Sequence, residues 1–391
     1  MTMSWWSAGI DRCLAWRDRL LASPLFQRRA AAFALTRPLA RRHARELFDL
    51  VAGFVYSQVL LACVRLHLFD ILAEGPQSLE RLAARLDLPA DAAQRLVWAA
   101  VSLRLVERRS EGRYGLGELG APMVGNTALA SMVEHHAALY ADLADPVALL
   151  RASADAGRSS ALSRYWPYAG SNAPSDLSNQ GVTPYSALMS ASQPLVADEV
   201  LDAYSLRAHR CLLDVGGGDG TFLATVASRA PALRLMLFDL PAVADQARAR
   251  LASAGLVQRA SAFGGSFFTD ALPEGADIAS LVRVIFDHDD RNAMAILRAV
   301  RQALPPNGTL LLAEPMAGTP GAEAMGDAYF GFYLLAMGRG RPRTATELTR
   351  MLQAAGFGAI RLLATRMPLQ TQLLVARCAQ VNPVSADVNL S

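Results

Sequence analysis

The sequence predicts an α/β chain in which a twisted, mostly parallel sheet with helices on both faces follows an all-helical segment that carries a small β-hairpin. Three observations lead there. Cys211-Leu-Leu-Asp-Val-Gly-Gly-Gly-Asp-Gly220 is a short apolar run closed by glycines, and the helical pattern TFLATVASRA follows it. The next apolar run, Leu233 to Phe238, ends in Asp239 about 20 residues after the glycines, where the neighbouring strand of a doubly wound sheet places a carboxylate at its carboxyl end. Before residue 130 the pattern is helices and then a hairpin, the order of a winged helix.

Glycines in succession let backbone N–H groups approach a ligand with no Cβ in the way, and the helix start behind them favours an anionic or polar group. A nucleotide or nucleoside fits, with Asp239 accepting from both ribose hydroxyls. This geometry alone leaves open nicotinamide dinucleotide and S-adenosylmethionine. Asp214-Val-Gly-Gly-Gly-Asp-Gly220 departs from the G-x-G-x-x-G of dinucleotide folds.

At 391 residues the chain can hold two domains, and 52% hydrophobic against 19% charged residues excludes a disordered chain. The net charge is +3 and every basic residue besides histidine is an arginine, a balance that does not demand a nucleic acid partner. Cys13, Cys63, Cys211 and Cys378 match no metal-ligand spacing, so no metal is expected and a reduced, cytoplasmic setting fits. Asp11 and Arg12 interrupt any secretory leader, and the apolar stretch Leu50 to Val64 reads as too short for a membrane span.

Residues 1–45 form a basic extension rich in Arg and Trp, suited to an anionic membrane surface or to a partner subunit. Residues 46–170 form the winged-helix domain. It opens with LFDLVAGFVYSQVLLACVRLHLFDIL, one long buried helix and the start of another, continues as two short helices broken at Leu88-Pro89, and ends in a hairpin turning at Glu111-Gly112. The segment around Arg95 offers one arginine among apolar residues, which favours a dimerisation surface over DNA binding. Residues 130–154 read as helical and 170–184 as a loop at the domain junction. Residues 171–379 form the sheet domain, beginning with a helix over Tyr185 to Tyr204, and 380–391 form a disordered tail. Within the sheet domain, strands are expected over 276–286, 308–313, 356–365 and 371–377, and helices over 290–304 and 346–355. That is a Rossmann-like sheet with an antiparallel edge.

Six blocks in order, DVGGGDG, FDLP, GGSFF, LVRVIFDHDD, LLLAEP and LLVARC, resemble the S-adenosylmethionine-dependent small-molecule O-methyltransferases that carry a winged-helix dimerisation domain. RYWPYAG, HHAALYADLADP and the arginine-rich extension are more similar to the acyclic carotenoid hydroxyl methyltransferases of purple photosynthetic bacteria. The resemblance implies a homodimeric class I methyltransferase. Gly216 and Gly218 would line the methionine and ribose, Asp239 and Leu240 the ribose side, and Ser266 and Phe267 the adenine. Arg283 would stand near the cofactor backbone, with Asp214 leading the loop. Tyr185 and Met189 match substrate-facing positions.

The chain departs from the family at the base. Relatives that methylate phenols carry His-Asp-Trp, where this chain has Phe286, Asp287 and His288. Glu314 matches one carboxylate that orients the family histidine, and the second falls at about Pro342. An aliphatic hydroxyl, with a pKa near that of water at roughly 16, is not ionised beforehand by any side chain, so a positioned acceptor suffices. Phe286 then suits a pocket wall for a polyene. His288, His135 and His136 are the candidate acceptors. The expected activity is methylation of a hydroxyl on a 1-hydroxy acyclic carotenoid. The competing readings are a phenolic or polyketide O-methyltransferase, a tetrapyrrole C-methyltransferase and a winged-helix ligand-sensing regulator.

Overall fold

The computed structural model describes residues 3–152, 160–165, 190 and 193–379. Tyr185, Met189, RYWPYAG beyond Tyr165, the junction expected at 170–184 and the tail 380–391 lie outside the described residues. The chain divides into two units, Met1–Gly125 and Asn126–Ser391. The boundary falls earlier than the one expected at 170/171, because α7 (Thr127–Asp142), α8 (Pro146–Arg151) and α9 (Ala161–Tyr165) join the second unit. Their buried Leu139, Leu149 and Leu162 pack with Tyr333, Leu334 and Met337 of that unit.

The first unit begins with α1 (Met3–Ala22), α2 (Pro24–Ala32) and α3 (Arg37–Arg65). Ser23 stops the first helix and starts the second: its Oγ accepts from Phe26 N at 3.4 Å, and Pro24, which has no N–H to satisfy, takes the first helical position. The expectation of a long buried helix is corrected here. In α3 only Leu61, Cys63 and Val64 are buried, and Leu47, Leu50, Val51 and Phe54 form an exposed apolar face at i, i+3, i+4 and i+7. The spanning estimate is corrected too. At 29 residues, with an 18-residue window of mean hydropathy 1.9, α3 is long and apolar enough to cross a membrane by length and composition.

After α4 (Leu68–Ala73), α5 (Leu79–Leu86) and α6 (Ala90–Ser102) are separated by Asp87 at φ 53° and by Pro89. The hairpin pairs β1 (Val106–Arg108) antiparallel with β2 (Tyr114–Leu116). It turns where Glu111 and Gly112 both take positive φ, the twist that matches the flanking strands.

The second unit is built on a seven-stranded sheet ordered β5-β4-β3-β6-β7-β9-β8. These strands are β3 (Cys211–Val215), β4 (Arg234–Asp239), β5 (Ala260–Gly264), β6 (Ile278–Val282), β7 (Thr309–Glu314), β8 (Phe357–Leu363) and β9 (Gln372–Cys378). The first five strands of that order run parallel, and β9 turns antiparallel between β7 and β8. β3, β6 and β7 are buried at every residue, as strands covered on both faces must be. Helices α10 (Thr221–Arg229), α11 (Pro241–Ser253), α12 (Asp290–Ala303), α13 (Phe330–Met337) and α14 (Ala345–Ala354) complete the unit, with residues 193–203 also helical. From β3 the chain builds β4 and β5 on one side and then crosses back to lay β6 on the other, so a crevice opens at the carboxyl end of β3.

Among the described residues, α9, α11, α13, β5 and a π-helix over Ala324–Tyr329 escaped the sequence reading. Ala-Ser-Ala-Phe-Gly carries little strand propensity, and pairing with β4 along the sheet edge makes it a strand. β6 is also shorter than its apolar run. Arg283 takes φ 56°, which ends the strand, and a 3₁₀ turn over Ile285–Asp287 follows.

Candidate cofactor and catalytic site

Asp239, at the end of β4, reaches across the crevice to the loop after β3. Its Oδ2 accepts from Gly218 N at 2.8 Å and its Oδ1 from Leu240 N at 2.7 Å. A carboxylate offers about four lone-pair sites, so both oxygens keep capacity for a diol. Burial pushes this carboxyl up to about 6, against the pull of the two amides. Asp214, fully buried on β3, accepts from Ser280 Oγ at 2.6 Å through Oδ1, while its Oδ2 has no hydrogen-bond partner among the described residues. Burial raises Asp214 to about 7; the Ser280 hydroxyl opposes the shift and nearby Asp239 adds to it.

The glycine loop has the shape of a cradle. Gly216 at φ 69° lies so close to Val284 that an added Cβ would stand 2.8 Å from Val284 Cγ2. Gly218 at φ 59° faces open space, with nothing within 4 Å of an added Cβ. Any L side chain at either position would strain the backbone, and at Gly218 it would fill the space a ligand needs. A diol acceptor, an unpartnered buried carboxylate oxygen and an open glycine surface fit a ribosyl cofactor.

The adenine-side residues sit on the loop after β5. Ser266 N donates to Asp270 Oδ2 at 2.7 Å, and Ser266 Oγ accepts from Phe268 N at 3.3 Å. Phe267 and Phe268 each meet the ring of His288 nearly edge-on, both with centroids 5.6 Å apart. In that apolar setting burial lowers His288 to about 4, so the ring is neutral at ordinary pH.

Behind this wall lies a charged cluster that the sequence reading only partly found. Glu314, at the end of β7, accepts from Ile285 N at 2.5 Å and Phe286 N at 3.1 Å. Burial raises it to about 7, against Arg343 and those amides. It orients a backbone turn and not a histidine. Asp287 is pushed well above the usual carboxylate range by burial and by Glu314, against the Arg283 charge. Arg283 donates to Gln193 Oε1. Arg343, one residue past the position matched to the family's second carboxylate, is fully buried. It donates to Ile285 O at 2.9 Å, His288 O at 2.7 Å and Asp290 Oδ1 at 2.7 Å. A cation thus holds the loop from both ends. An arginine next to a proline before a helix gives no sequence signal of burial.

Phe286 is buried and meets Phe330 edge-on at 5.7 Å. From Phe330 an aromatic layer runs to Tyr329 at 5.0 Å and Tyr333 at 6.3 Å. There it joins the α7 histidines: His135 Nε2 lies 2.8 Å from Tyr333 Oη, and His136 Nε2 lies 2.7 Å from Tyr329 Oη. Burial lowers both histidines, His135 to about 4 with its neighbour His136 contributing. The two tyrosines were not found from sequence; their spacing of four reads equally well as plain core.

Residues 140–358 match the O-methyltransferase domain and residues 48–133 the O-methyltransferase dimerisation domain. The chain belongs to the O-methyltransferase family: it is an S-adenosylmethionine-dependent O-methyltransferase that forms homodimers. It is 43% identical over 359 residues, 92% of this chain and 93% of the relative, to demethylspheroidene O-methyltransferase of Cereibacter sphaeroides. To the Rhodobacter capsulatus protein of the same name it is 41% identical over 342 residues, 86% of this chain and 83% of the relative. Among solved structures, human N-acetylserotonin methyltransferase in complex with S-adenosylmethionine aligns with a TM-score of 0.70 at 25% identity, covering 86% of this chain and 98% of that one.

Proposed function

We propose that the enzyme methylates the hydroxyl of a long apolar alcohol, a 1-hydroxy acyclic carotenoid, as a cytoplasmic protein resting peripherally on the membrane that holds its substrate. The observation that carries this reading is Phe286. A buried phenylalanine against Phe330 stands where phenol-methylating relatives place a histidine base, and it suits a hydrocarbon chain whose hydroxyl needs no prior ionisation. The names of the two demethylspheroidene relatives agree with it.

In this reading Asp239 takes the ribose diol, Leu240 flanks it, and Gly216 and Gly218 let the backbone close on the cofactor. Asp214 shapes the floor beneath Gly217, whose added Cβ would stand 2.6 Å from Asp214 Oδ2. Ser266 and Phe267 bound the adenine, and His288 packs beside them. Arg283 lies toward the methionine end. When bound, S-adenosylmethionine supplies a methyl carbon already electrophilic by virtue of the sulfonium charge, so alignment of the alcohol oxygen accounts for much of the acceleration. Glu314 and Arg343 are positioning residues that fix the turn carrying Phe286. By the family resemblance Tyr185 and Met189 would face the substrate, and His136 receives the proton. The exposed Ile10, Leu14, Trp16 and Phe26 of α1 and α2, among arginines, form the surface that meets lipid.

The test is incubation with methyl-labelled cofactor and a panel of hydroxylated polyenes, phenols and chlorin pigments. Mass analysis should find the label as a methyl ether on the polyene. Label on a phenol oxygen or a chlorin carbon, with none on the polyene, would overturn the reading.

A further inference from the structure

The proton released by the alcohol needs a route that the family histidine would otherwise provide, and Phe286 cannot provide it. The described structure offers two tyrosine–histidine pairs nearby, of which one is built for it. Tyr329 closes the π-helix Ala324–Tyr329, an irregularity that recurs at functional sites. Its hydroxyl lies 2.7 Å from His136 Nε2, and its ring lies 5.0 Å from Phe330, which in turn touches Phe286. Tyr329 is half-buried, whereas the parallel partner Tyr333 is 6% exposed and sits within the apolar cluster of Leu139, Leu149 and Leu162.

Resting on the reading of the chain as an alcohol-methylating enzyme, we infer that Tyr329 is the group that meets the substrate hydroxyl and passes its proton to His136. As the oxygen–methyl bond forms and the carbon–sulfur pair returns to sulfur, the oxygen becomes a protonated ether. Its proton moves to Tyr329 Oη while the tyrosine's own proton moves to His136 Nε2, leaving a neutral ether and an imidazolium that later releases the proton to water. A protonated ether is far more acidic than imidazolium, so the transfer runs downhill.

Both partners are in the right state for this. Burial raises the Tyr329 phenol, which keeps it a neutral hydroxyl able to accept and donate at once. Burial lowers His136, which keeps its imidazole neutral, and in the relay its proton sits on Nδ1 so that Nε2, facing Tyr329 Oη, accepts. Tyr333 and His135 repeat the pairing at 2.8 Å but belong to the packed side, where they hold α7 against α13.

Tyr329→Phe removes one oxygen and keeps the ring contacts. With a 1-hydroxy acyclic carotenoid and S-adenosylmethionine, Tyr329→Phe and His136→Gln should each lower kcat roughly 100-fold, as loss of positioned proton transfer does. The double variant should be no slower than either single one, because the two act as a unit. KM and calorimetric affinity for S-adenosylmethionine should stay within about threefold of wild type. A Tyr329→Phe enzyme with kcat within threefold of wild type, or single-variant losses that multiply in the double variant, would overturn the relay while leaving the alcohol reading intact. A wild-type enzyme inert toward the alcohol would overturn both.

Discussion

At Asp239 one carboxylate holds the glycine loop through two amides and still has lone pairs for a diol. Its pKa of about 6, raised by burial, gives the site a pH dependence with a definite sign. Only the ionised form accepts from both hydroxyls, so affinity for S-adenosylmethionine is full above about pH 7 and weakens as pH falls through 6. Titration calorimetry should find binding roughly tenfold weaker at pH 5 than at pH 8, one proton binding competitively. Asp239→Asn should cost about 1.5–3 kcal/mol of affinity at pH 8, the range for hydrogen bonds to charged groups, and flatten much of this slope. Equal affinity at both pH values would refute the assignment. The acid and the glycines were legible because the spacing of a strand, a tight turn and a second strand leaves few places for them. Arg343 was not legible: its burial is set by carbonyls of Ile285 and His288, more than 50 residues earlier in the chain.

Among the elements, α3 departs furthest from its sequence reading. An apolar helix of this length reads as buried, yet its Leu47–Phe54 face is exposed, Leu50 by 82%. Most of that stretch falls inside the dimerisation domain, which begins at residue 48. If this face is the element's contribution to the homodimer, its disruption should break the dimer. Leu50→Glu with Phe54→Glu would place two unpaired charges in a desolvated contact, a cost of several kcal/mol. Sedimentation velocity should then show a monomer; an unchanged dimer would remove α3 from the interface. The strands and helices with strong apolar periodicity were legible to within a few residues. β5 and the π-helix depend on neighbours, β5 on pairing with β4 and the π-helix on what surrounds Gly326, whose added Cβ would stand 2.5 Å from Met316 O.

Over the whole molecule the net charge of +3 hides an asymmetry. Residues 3–46 hold nine arginines and three acids, so the remainder of the chain is net negative. If residues 1–45 rest on an anionic bilayer, each arginine near the surface adds about 1 kcal/mol at low salt, and the attraction is screened within about 8 Å at physiological ionic strength. Flotation with phosphatidylserine-containing vesicles should show binding that falls steeply between 50 mM and 500 mM salt and is lost when residues 1–40 are removed. Undiminished binding without them would place the contact elsewhere.

The sequence by itself determined the fold, the glycine cradle, Asp239 and the replacement of the family base by Phe286. Each is a local pattern or a matched position, and local patterns survive without coordinates. Only the tertiary structure decided what surrounds Phe286. Glu314 and Arg343 clamp its turn, the rings of Phe330, Tyr329 and Tyr333 continue its wall, and α7 supplies two histidines from about 190 residues away in sequence. Pairing between such distant groups is set by how α7 packs on α13, and no spacing along the chain encodes that contact.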